Sequence, residues 1–443
     1  MRSFLPLCLA VLLLGIGLWL APRPRTELNE QQRLEVFDFV WRTVRDSHYD
    51  PKMNGVDWQA VRQRYEPKAR AAHSDEVFYR LLNQMVSELK QSHFVVYPPQ
   101  HLIARQHIHG GLAEGEIGIV ALLVNRQVLV TRVQEGSPAA QAGLHPGDQL
   151  LAINDRPIPD WLNELRNHWN LQFPNRPISP ATERFLTYYL LLTLLNGQAG
   201  TTVHLRYRNL ADEEREIALT RQPVKDTTQP LGLLPPLPLR LESRRLNEGI
   251  GYLAFNAFLP AVMEPVRKAI HKLRDAPALI IDLRGNIGGI GLMAGGIAGL
   301  LTDKEIPMGV IHLREGTIPI VAYPQPGAFR GPVVILTDET TLSTAEIMAG
   351  ALKESGRAVV IGRPTPGYAL PSKLVQLPYG GLLQCVVADY RTPKGRRLEG
   401  IGVKPNIEVA LTRNAFQHTP DPILQAAVDY LRKAFPSPMR PAP

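Results

Sequence analysis

Apolar residues recur along the chain with two different spacings, and the change between them divides it into regions. They follow helical spacing over residues 27–70, and a second run at this spacing covers 75–89. Strand patterns replace it further on: one strand is predicted to open at 118–120, and alternating apolar residues predict a second at 127–133. We therefore expect an N-terminal helical region over 27–109, followed by a β-rich region.

The pattern changes again after a proline-rich connector, which we assign to 223–244 as a semi-rigid linker. A continuous apolar run at 278–282 is typical of a strand buried on both faces. Alternating strands and helices, including a helix at 347–354, predict an α/β core over 245–434. The last residues, 435–443, contain four prolines and are predicted to be disordered.

The N-terminus carries an apolar stretch from residue 4 to 21, which only Pro6 interrupts, with arginines on both flanks. Its length is close to the ~20 residues that a membrane-spanning helix needs. A cleaved signal peptide has a similar layout with a shorter apolar run, and this alternative stays open. We expect a signal anchor or transmembrane segment over 1–25, with the body exported to the periplasmic or extracytoplasmic side.

Composition excludes several functional classes. Hydrophobic residues make up 44% and charged residues 20%, which is ordinary for globular domains. The net charge of +8 is spread without a long basic run, so nucleic-acid binding is not expected. Cys8 and Cys385 cannot form a disulfide framework, and the cluster of His101, His107 and His109 lacks a complete ligand set. No metal site and no organic cofactor are predicted.

The segment "GSPAAQAGLHPGDQLLAIND" at 136–155 resembles the PDZ family. The resemblance implies a groove in which an extended peptide adds as a strand. We assign 111–222 to a PDZ-like domain that carries an insertion at 156–197, which either packs as a flap or covers the groove as a lid. The peptide-binding loop maps to Ile117, Gly118, Ile119 and Val120.

Two segments of the core carry candidate chemistry. Glycines in "DLRGNIGG" at 282–289 directly follow the buried strand, where backbone amides can face a ligand. The segment fits neither a dinucleotide fingerprint nor a P-loop, and paired amides for an oxyanion fit better. Ser343 lies at a predicted strand-to-helix turn, where a serine serves either as a helix N-cap or as a nucleophile.

Four segments in order, "LIIDLRGNIGG", "TLSTAEIMAGALKESG", "VVIGRPTPG" and "RLEGIGVKPNI", resemble the tail-specific (carboxyl-terminal-processing) protease family, of which the tricorn protease core is a relative. The resemblance implies a tail-specific protease, crotonase-like α/β catalytic core with an N-terminal helical cap and an inserted PDZ-like domain. It also implies Ser343 as the nucleophile. Gly288 or Gly289, together with the amide of Thr344, would form the oxyanion hole.

The general base departs from the commoner branch of this family. The lysine of its "T-x-G-K" motif corresponds to Tyr368, a poor base because an unperturbed tyrosine has a pKa of about 10. The tricorn-like branch uses a Ser-His-Ser-Glu tetrad instead, and the resemblance maps its remaining members to Ser92, His93 and Glu399. Two other lysines, Lys353 and Lys373, stay open as substitutes.

These expectations combine into a serine-type endopeptidase that acts on exported or membrane-associated polypeptides. The PDZ-like domain would recognise an extended or carboxyl-terminal segment of the substrate. The alternative is a catalytically inactive relative that binds a peptide or an apolar ligand, as in the retinoid-binding branch of the same fold. The sequence leaves the oligomeric state open.

Overall fold

The computed structural model describes residues 27–99, 114–173, 177–225, 232–233 and 237–435. Several predicted features lie outside these ranges: the anchor at 1–25, the three histidines between positions 101 and 109, and parts of the proline-rich connector. Of the predicted tail, only residue 435 lies inside them. Among the helices that the structure describes, none is long and apolar enough to cross a bilayer.

The predicted helical character of the N-terminal region is confirmed. Its elements are α1 (Glu30–Ser47), α2 (Trp58–Arg70), α3 (Asp75–Ser87) and the short strand β1 (Val95–Tyr97). A capping box starts α1, in which the side chains of Asn29 and Gln32 each accept a hydrogen bond from the other's amide. Trp41 and Trp58 join α1 to α2, because each indole N–H donates to the other residue's carbonyl.

The PDZ-like region is built on a sheet whose strands follow the order β3-β4-β5-β7-β8, with β6 paired to β5. Its strands are β2 (Gly115–Glu116), β3 (Ile119–Val124), β4 (Gln127–Val133), β5 (Gln149–Ile153), β6 (Arg156–Pro157), β7 (Thr202–Arg208), β8 (Glu214–Thr220) and β9 (Gln222–Pro223). Its helices are α4 (Pro138–Gln141), α5 (Ile158–Gln172) and α6 (Pro180–Leu195). Within the insertion the sequence has an apolar run at 185–195, typical of a helix, and α6 begins five residues earlier because Ser179 caps it and Pro180 suits its first position.

The predicted α/β core is built on a six-stranded sheet in the order β10-β11-β12-β15-β16-β20. Its strands are β10 (Leu241–Arg245), β11 (Gly251–Phe255), β12 (Leu279–Asp282), β15 (Val333–Thr337), β16 (Ala358–Gly362) and β20 (Ile407–Glu408). Its helices are α7 (Pro260–Lys272), α8 (Met293–Ala298), α9 (Thr344–Glu354), α10 (Arg413–His418) and α11 (Pro422–Ala434). From β11 onward the strands run parallel, so β12 and β15 end side by side at the same edge of the sheet.

Two smaller sheets attach the N-terminal region to the core. One has the order β14-β13-β19, with β13 (Ile306–Leu313), β14 (Thr317–Ala322) and β19 (Ala388–Arg391), and the other has the order β1-β18-β17, with β17 (Ser372–Gln376) and β18 (Leu382–Val386). The apolar faces of α1 to α3 share one buried cluster with Leu383 and Cys385 of β18. Arg314 of the β13–β14 hairpin donates to the carbonyl of Arg45 at the end of α1, at 2.8 Å. The helical cap is therefore packed firmly against the core.

Candidate active site

Ser343 occupies the turn between β15 and α9, as the sequence predicts. Its backbone has φ +54° and ψ −116°, a conformation that costs a non-glycine residue about 1–3 kcal/mol and is concentrated at functional sites. Every residue over 333–352 is buried except Ser343, which is partly exposed. The turn therefore presents one hydroxyl-bearing side chain from an otherwise closed part of the core.

The glycines that follow β12 lie directly against this turn. A Cβ atom on Gly288 (φ +81°) would lie 2.6 Å from Cβ of Ser343 and 2.9 Å from the amide nitrogen of Thr344. A Cβ atom on Gly289 (φ +142°) would lie 2.3 Å from the carbonyl oxygen of Phe258. Both positions require glycine, because any larger residue would push the two backbone segments apart.

The amides around this turn differ in their partners. The amide of Gly288 donates to Oδ1 of Asn286 at 2.9 Å. Within the described ranges, the amides of Gly289 and Thr344 have no hydrogen-bond acceptor. Of the two candidate glycines, Gly289 is therefore the one whose amide can still bind an anion.

Ser92, His93 and Glu399 form one hydrogen-bonded chain. Oγ of Ser92 lies 2.6 Å from Nδ1 of His93 and 2.8 Å from Oε2 of Glu399, and the Ser92 amide donates to Oε1 of Glu399 at 2.6 Å. An ionised carboxylate only accepts, so the single Ser92 hydroxyl hydrogen goes to Glu399 and the hydroxyl oxygen accepts from Nδ1–H of His93. This tautomer leaves the lone pair of Nε2 available.

Burial tunes both ionisable groups of this chain. It lowers the pKa of His93 to about 4, so that the imidazole is neutral at neutral pH. Burial also raises the pKa of the Glu399 carboxyl, and the hydrogen bonds from Ser92 oppose that rise. Among the described residues no donor binds Nε2 of His93, so this neutral imidazole can accept a proton there.

A residue that our sequence interpretation did not assign, Glu346, lies beneath the Ser343 turn. Its buried carboxylate accepts four hydrogen bonds: Oε1 from the Thr365 hydroxyl (2.5 Å) and the Gly367 amide (2.8 Å), and Oε2 from the Ser343 amide (3.0 Å) and the Tyr368 amide (2.9 Å). Burial raises its pKa to about 7. The serine and the glutamate three residues later match a capping box, and this signal could have identified the residue.

Residues 365–369 connect the two groups of side chains. The Ala369 amide donates to Oε2 of Glu399 at 3.3 Å, immediately after the Tyr368 amide that binds Glu346. The turn that carries Glu399 packs on the same segment, because the Gly400 amide donates to the Gly367 carbonyl at 2.8 Å. This five-residue segment therefore contacts both Glu346, which binds the Ser343 amide, and Glu399, which binds Ser92.

The candidate lysines lie elsewhere. Lys353 is ten residues along α9 from Ser343, a helical rise of about 15 Å, and its ammonium donates to the carbonyl of Lys404. Lys373 is exposed in β17, where it lines a surface groove together with Glu35 and Asp38 of α1. Tyr368, at the position of the family's lysine, packs its ring edge-on against Phe185 of α6, with centroids 4.6 Å apart. The insertion of the PDZ-like region thus reaches the active site.

The predicted peptide-binding loop precedes β3. Ile117 is completely buried, and its carbonyl accepts from the Ala139 amide at 3.1 Å. A Cβ atom on Gly118 (φ +80°) would lie 2.2 Å from Cβ of Ser137. Ile119 and Val120 begin β3, a strand at the end of its sheet against which α6 packs. Strand and helix together provide the two walls that a PDZ groove requires.

The fold and the site together define a peptidase that carries a PDZ module. Three family models match the chain: peptidase family S41 over residues 249–409, the tricorn protease C1 domain over 29–87, and a PDZ domain over 129–167. Over most of its length the chain is similar to the tail-specific, or carboxyl-terminal-processing, proteases. These matches confirm the resemblance and the fold class that the sequence motifs indicate.

Curated relatives agree over most of the chain. It is 28% identical over 436 residues to the carboxyl-terminal-processing protease of Synechocystis sp., with 95% of this chain and 91% of the relative covered. It is 26% identical to carboxyl-terminal-processing peptidase 3, chloroplastic, of Arabidopsis thaliana, with 83% and 67% covered. The predicted peptidase function is thus confirmed.

Solved structures share the fold. The photosystem II D1 C-terminal processing protease gives a TM-score of 0.56 at 23% identity, with 87% of this chain and 94% of that chain covered. Mature CPAF gives a TM-score of 0.62 at 16% identity, with 93% and 98% covered.

Proposed function

We propose that the chain is a serine-type endopeptidase that cleaves through an acyl-enzyme on Ser343, with His93 as the general base. The observation that carries the proposal is the hydrogen-bonded chain of His93, Ser92 and Glu399, which orients the imidazole and leaves Nε2 as an acceptor. A serine hydroxyl is a weak nucleophile until a neighbouring base removes its proton.

The reaction follows from these roles. Oγ of Ser343 attacks the scissile carbonyl carbon while its proton passes to Nε2 of His93, which gives a tetrahedral oxyanion. The C–N bond then breaks, and His93 returns the proton to the leaving amine. Water attacks the ester in the same way and releases the acid product and Ser343. Ser92 and Glu399 stabilise the transient imidazolium, because the positive charge on the ring strengthens the hydrogen bond from Nδ1–H.

The oxyanion is proposed to bind the amides of Gly289 and Thr344. Both lie at the Ser343 turn without another acceptor among the described residues, and Thr344 is the first residue of α9, where the helix dipole favours negative charge. Gly288 is not assigned to the oxyanion hole, because its amide already donates to Asn286. Its role is steric: without a side chain it leaves room for the Ser343 turn.

Substrates are proposed to be exported or membrane-associated polypeptides. Their extended or carboxyl-terminal segments would bind along β3 at Ile117, Gly118, Ile119 and Val120, where main-chain hydrogen bonds give affinity. The apolar run near the N-terminus supports an exported body that 1–25 anchors to the membrane on its periplasmic or extracytoplasmic side.

A fluorophosphonate probe together with a peptide-hydrolysis assay tests the mechanism. Wild-type protein should become covalently labelled at Ser343, whereas Ser343→Ala and His93→Ala should show neither labelling nor hydrolysis. Wild-type protein that hydrolyses peptides without labelling at Ser343, or labelling that persists in His93→Ala, would refute the assigned roles.

A further inference from the structure

The Glu346 carboxylate is a junction between two segments that are distant in sequence. It belongs to the first turn of α9 and accepts the amide of Ser343, its neighbour in the capping box. The same side chain also binds residues 19 to 22 positions further on, through Thr365, Gly367 and Tyr368. An ordinary capping box bonds only within its own helix end, so the second set of contacts needs another explanation.

The donors saturate the carboxylate. Each oxygen accepts two hydrogen bonds, and the side chain is fully buried, so water cannot replace a lost partner. All three backbone donors are amides that would otherwise be unsatisfied beneath the site, which is costly in a buried place. A shift of the carboxylate would therefore move the Ser343 turn and the 365–368 segment together.

That segment leads directly to the partners of His93. Tyr368 binds Glu346, and the next amide, of Ala369, binds Glu399, which in turn holds Ser92. The path from the Ser343 amide to the Ser92 hydroxyl thus consists of two carboxylates and one peptide unit. Because the path is short and its hydrogen bonds are directional, a shift of Glu346 would change the position of Ser343 relative to Ser92, and small misplacements of this kind slow a reaction.

We propose that Glu346 is a positioning residue of the reaction: its carboxylate sets the place of Ser343 relative to the Ser92–His93–Glu399 chain. This inference rests on the proposed serine mechanism and adds to it a residue that does not touch the substrate. It acts through the Ser343 amide and the Tyr368 amide.

Glutamine is the informative replacement. Glu346→Gln keeps the shape of the side chain but turns one acceptor oxygen into an NH₂ group, which can accept from neither of the two donors on its side. Whichever oxygen is replaced, its two former hydrogen-bond donors then face the NH₂ group of the glutamine, which is itself a donor. Glu346→Asp keeps the charge and all acceptor sites but shortens the reach, so it should retain part of the function.

The experiment measures fluorophosphonate labelling of Ser343, with kcat and KM for a peptide substrate, in the full chain at matched folded fraction. We expect Glu346→Gln to lower the labelling rate and kcat about 100-fold, the size of effect known for an ångström-scale misplacement, with KM unchanged. Glu346→Asp should recover part of both. Wild-type labelling and kcat in Glu346→Gln, or an effect confined to KM, would overturn the proposal.

A matched control is Glu354→Gln in the same helix. Glu354 is nearly buried, accepts the Lys394 amide at 3.0 Å and pairs with Arg396, away from Ser343. It should lose stability without losing labelling per folded molecule. If it slows labelling as much as Glu346→Gln does, the effect is general destabilisation and the proposal fails.

Thr365→Val decides the matter if Glu346→Gln does not fold. This change removes one donor to the carboxylate and also the acceptor of the Val403 amide (2.7 Å). We expect labelling to slow about tenfold at unchanged KM; labelling at the wild-type rate would overturn the proposal. The outcome is separable from the proposed function: wild-type protein that never labels refutes the serine mechanism, whereas normal labelling in the variants refutes only the role of Glu346.

Discussion

Glu346 and Glu399 accept hydrogen bonds from two consecutive backbone amides, those of Tyr368 and Ala369, at 2.9 and 3.3 Å. One carboxylate supports Ser343 and the other supports Ser92 and His93, so the site is held together by a shared peptide segment.

Replacing Gly288 by alanine should abolish labelling of Ser343. The new methyl group would lie 2.6 Å from Cβ of Ser343, so the turn must move. Gly356→Ala is the matched control, because its φ of +73° carries a similar backbone penalty of about 1–2 kcal/mol while nothing lies within 4 Å of the added Cβ. Both variants should lose stability in urea unfolding, and only Gly288→Ala should lose labelling. Normal labelling in Gly288→Ala would contradict the packing argument.

Ser92→Ala should slow acylation about 100-fold. This is near the lower end of the rate enhancement that a well-positioned general base provides. The change removes the acceptor of His93 Nδ1–H and the donor to Glu399, so the imidazolium loses its stabilisation. Stopped-flow or time-resolved labelling measures the rate. Ser87→Ala serves as a control, since that hydroxyl donates only to the Gln84 carbonyl within α3, and its rate should equal that of the wild type.

His93 and Glu346 should make the free energy of unfolding change with pH in opposite directions. The pKa of His93 falls from 6.5 to about 4, so its contribution to stability is present above 6.5 and is lost as pH falls to about 4. The pKa of Glu346 rises from 4.5 to about 7, so the folded chain binds the extra proton and this contribution is lost as pH rises through that window. In the wild type the two trends oppose each other.

Urea unfolding at several pH values between about 4.5 and 6.5 separates these trends. Relative to the wild type, the free energy of unfolding of His93→Asn should decrease as pH rises, and that of Glu346→Gln should increase. Changes of the same sign in both variants would show that these two groups do not carry the assigned shifts.

Gly118→Ala should impair substrate recognition without affecting the chemistry. Its Cβ atom would clash with Ser137 and displace the loop before β3, so KM for a long polypeptide should rise about tenfold, or ~1.4 kcal/mol, while labelling of Ser343 stays normal. Gly143→Ala, at the same φ of +80° with open space around it, should leave KM unchanged. An unchanged KM in Gly118→Ala would argue against peptide binding at this loop.

The local patterns predicted much of this molecule. The buried run at 279–282, the PDZ-like segment at 136–155 and the strand-to-helix turn at Ser343 are each set by residues close together in sequence. Strands β13, β14, β17 and β18 were missed because their alternation is weak and their partners lie far away. The contact of Phe185 with Tyr368 was missed for the same reason, since sequence spacing does not indicate which surfaces an inserted helix covers.

The bond between Ser92 and Glu399 spans 307 positions of the chain. Ribosomes make proteins from the N-terminus, so Glu399 emerges after Ser92, His93 and Ser343. A nascent or prematurely terminated chain therefore holds every other candidate group yet lacks the partner that orients the imidazole.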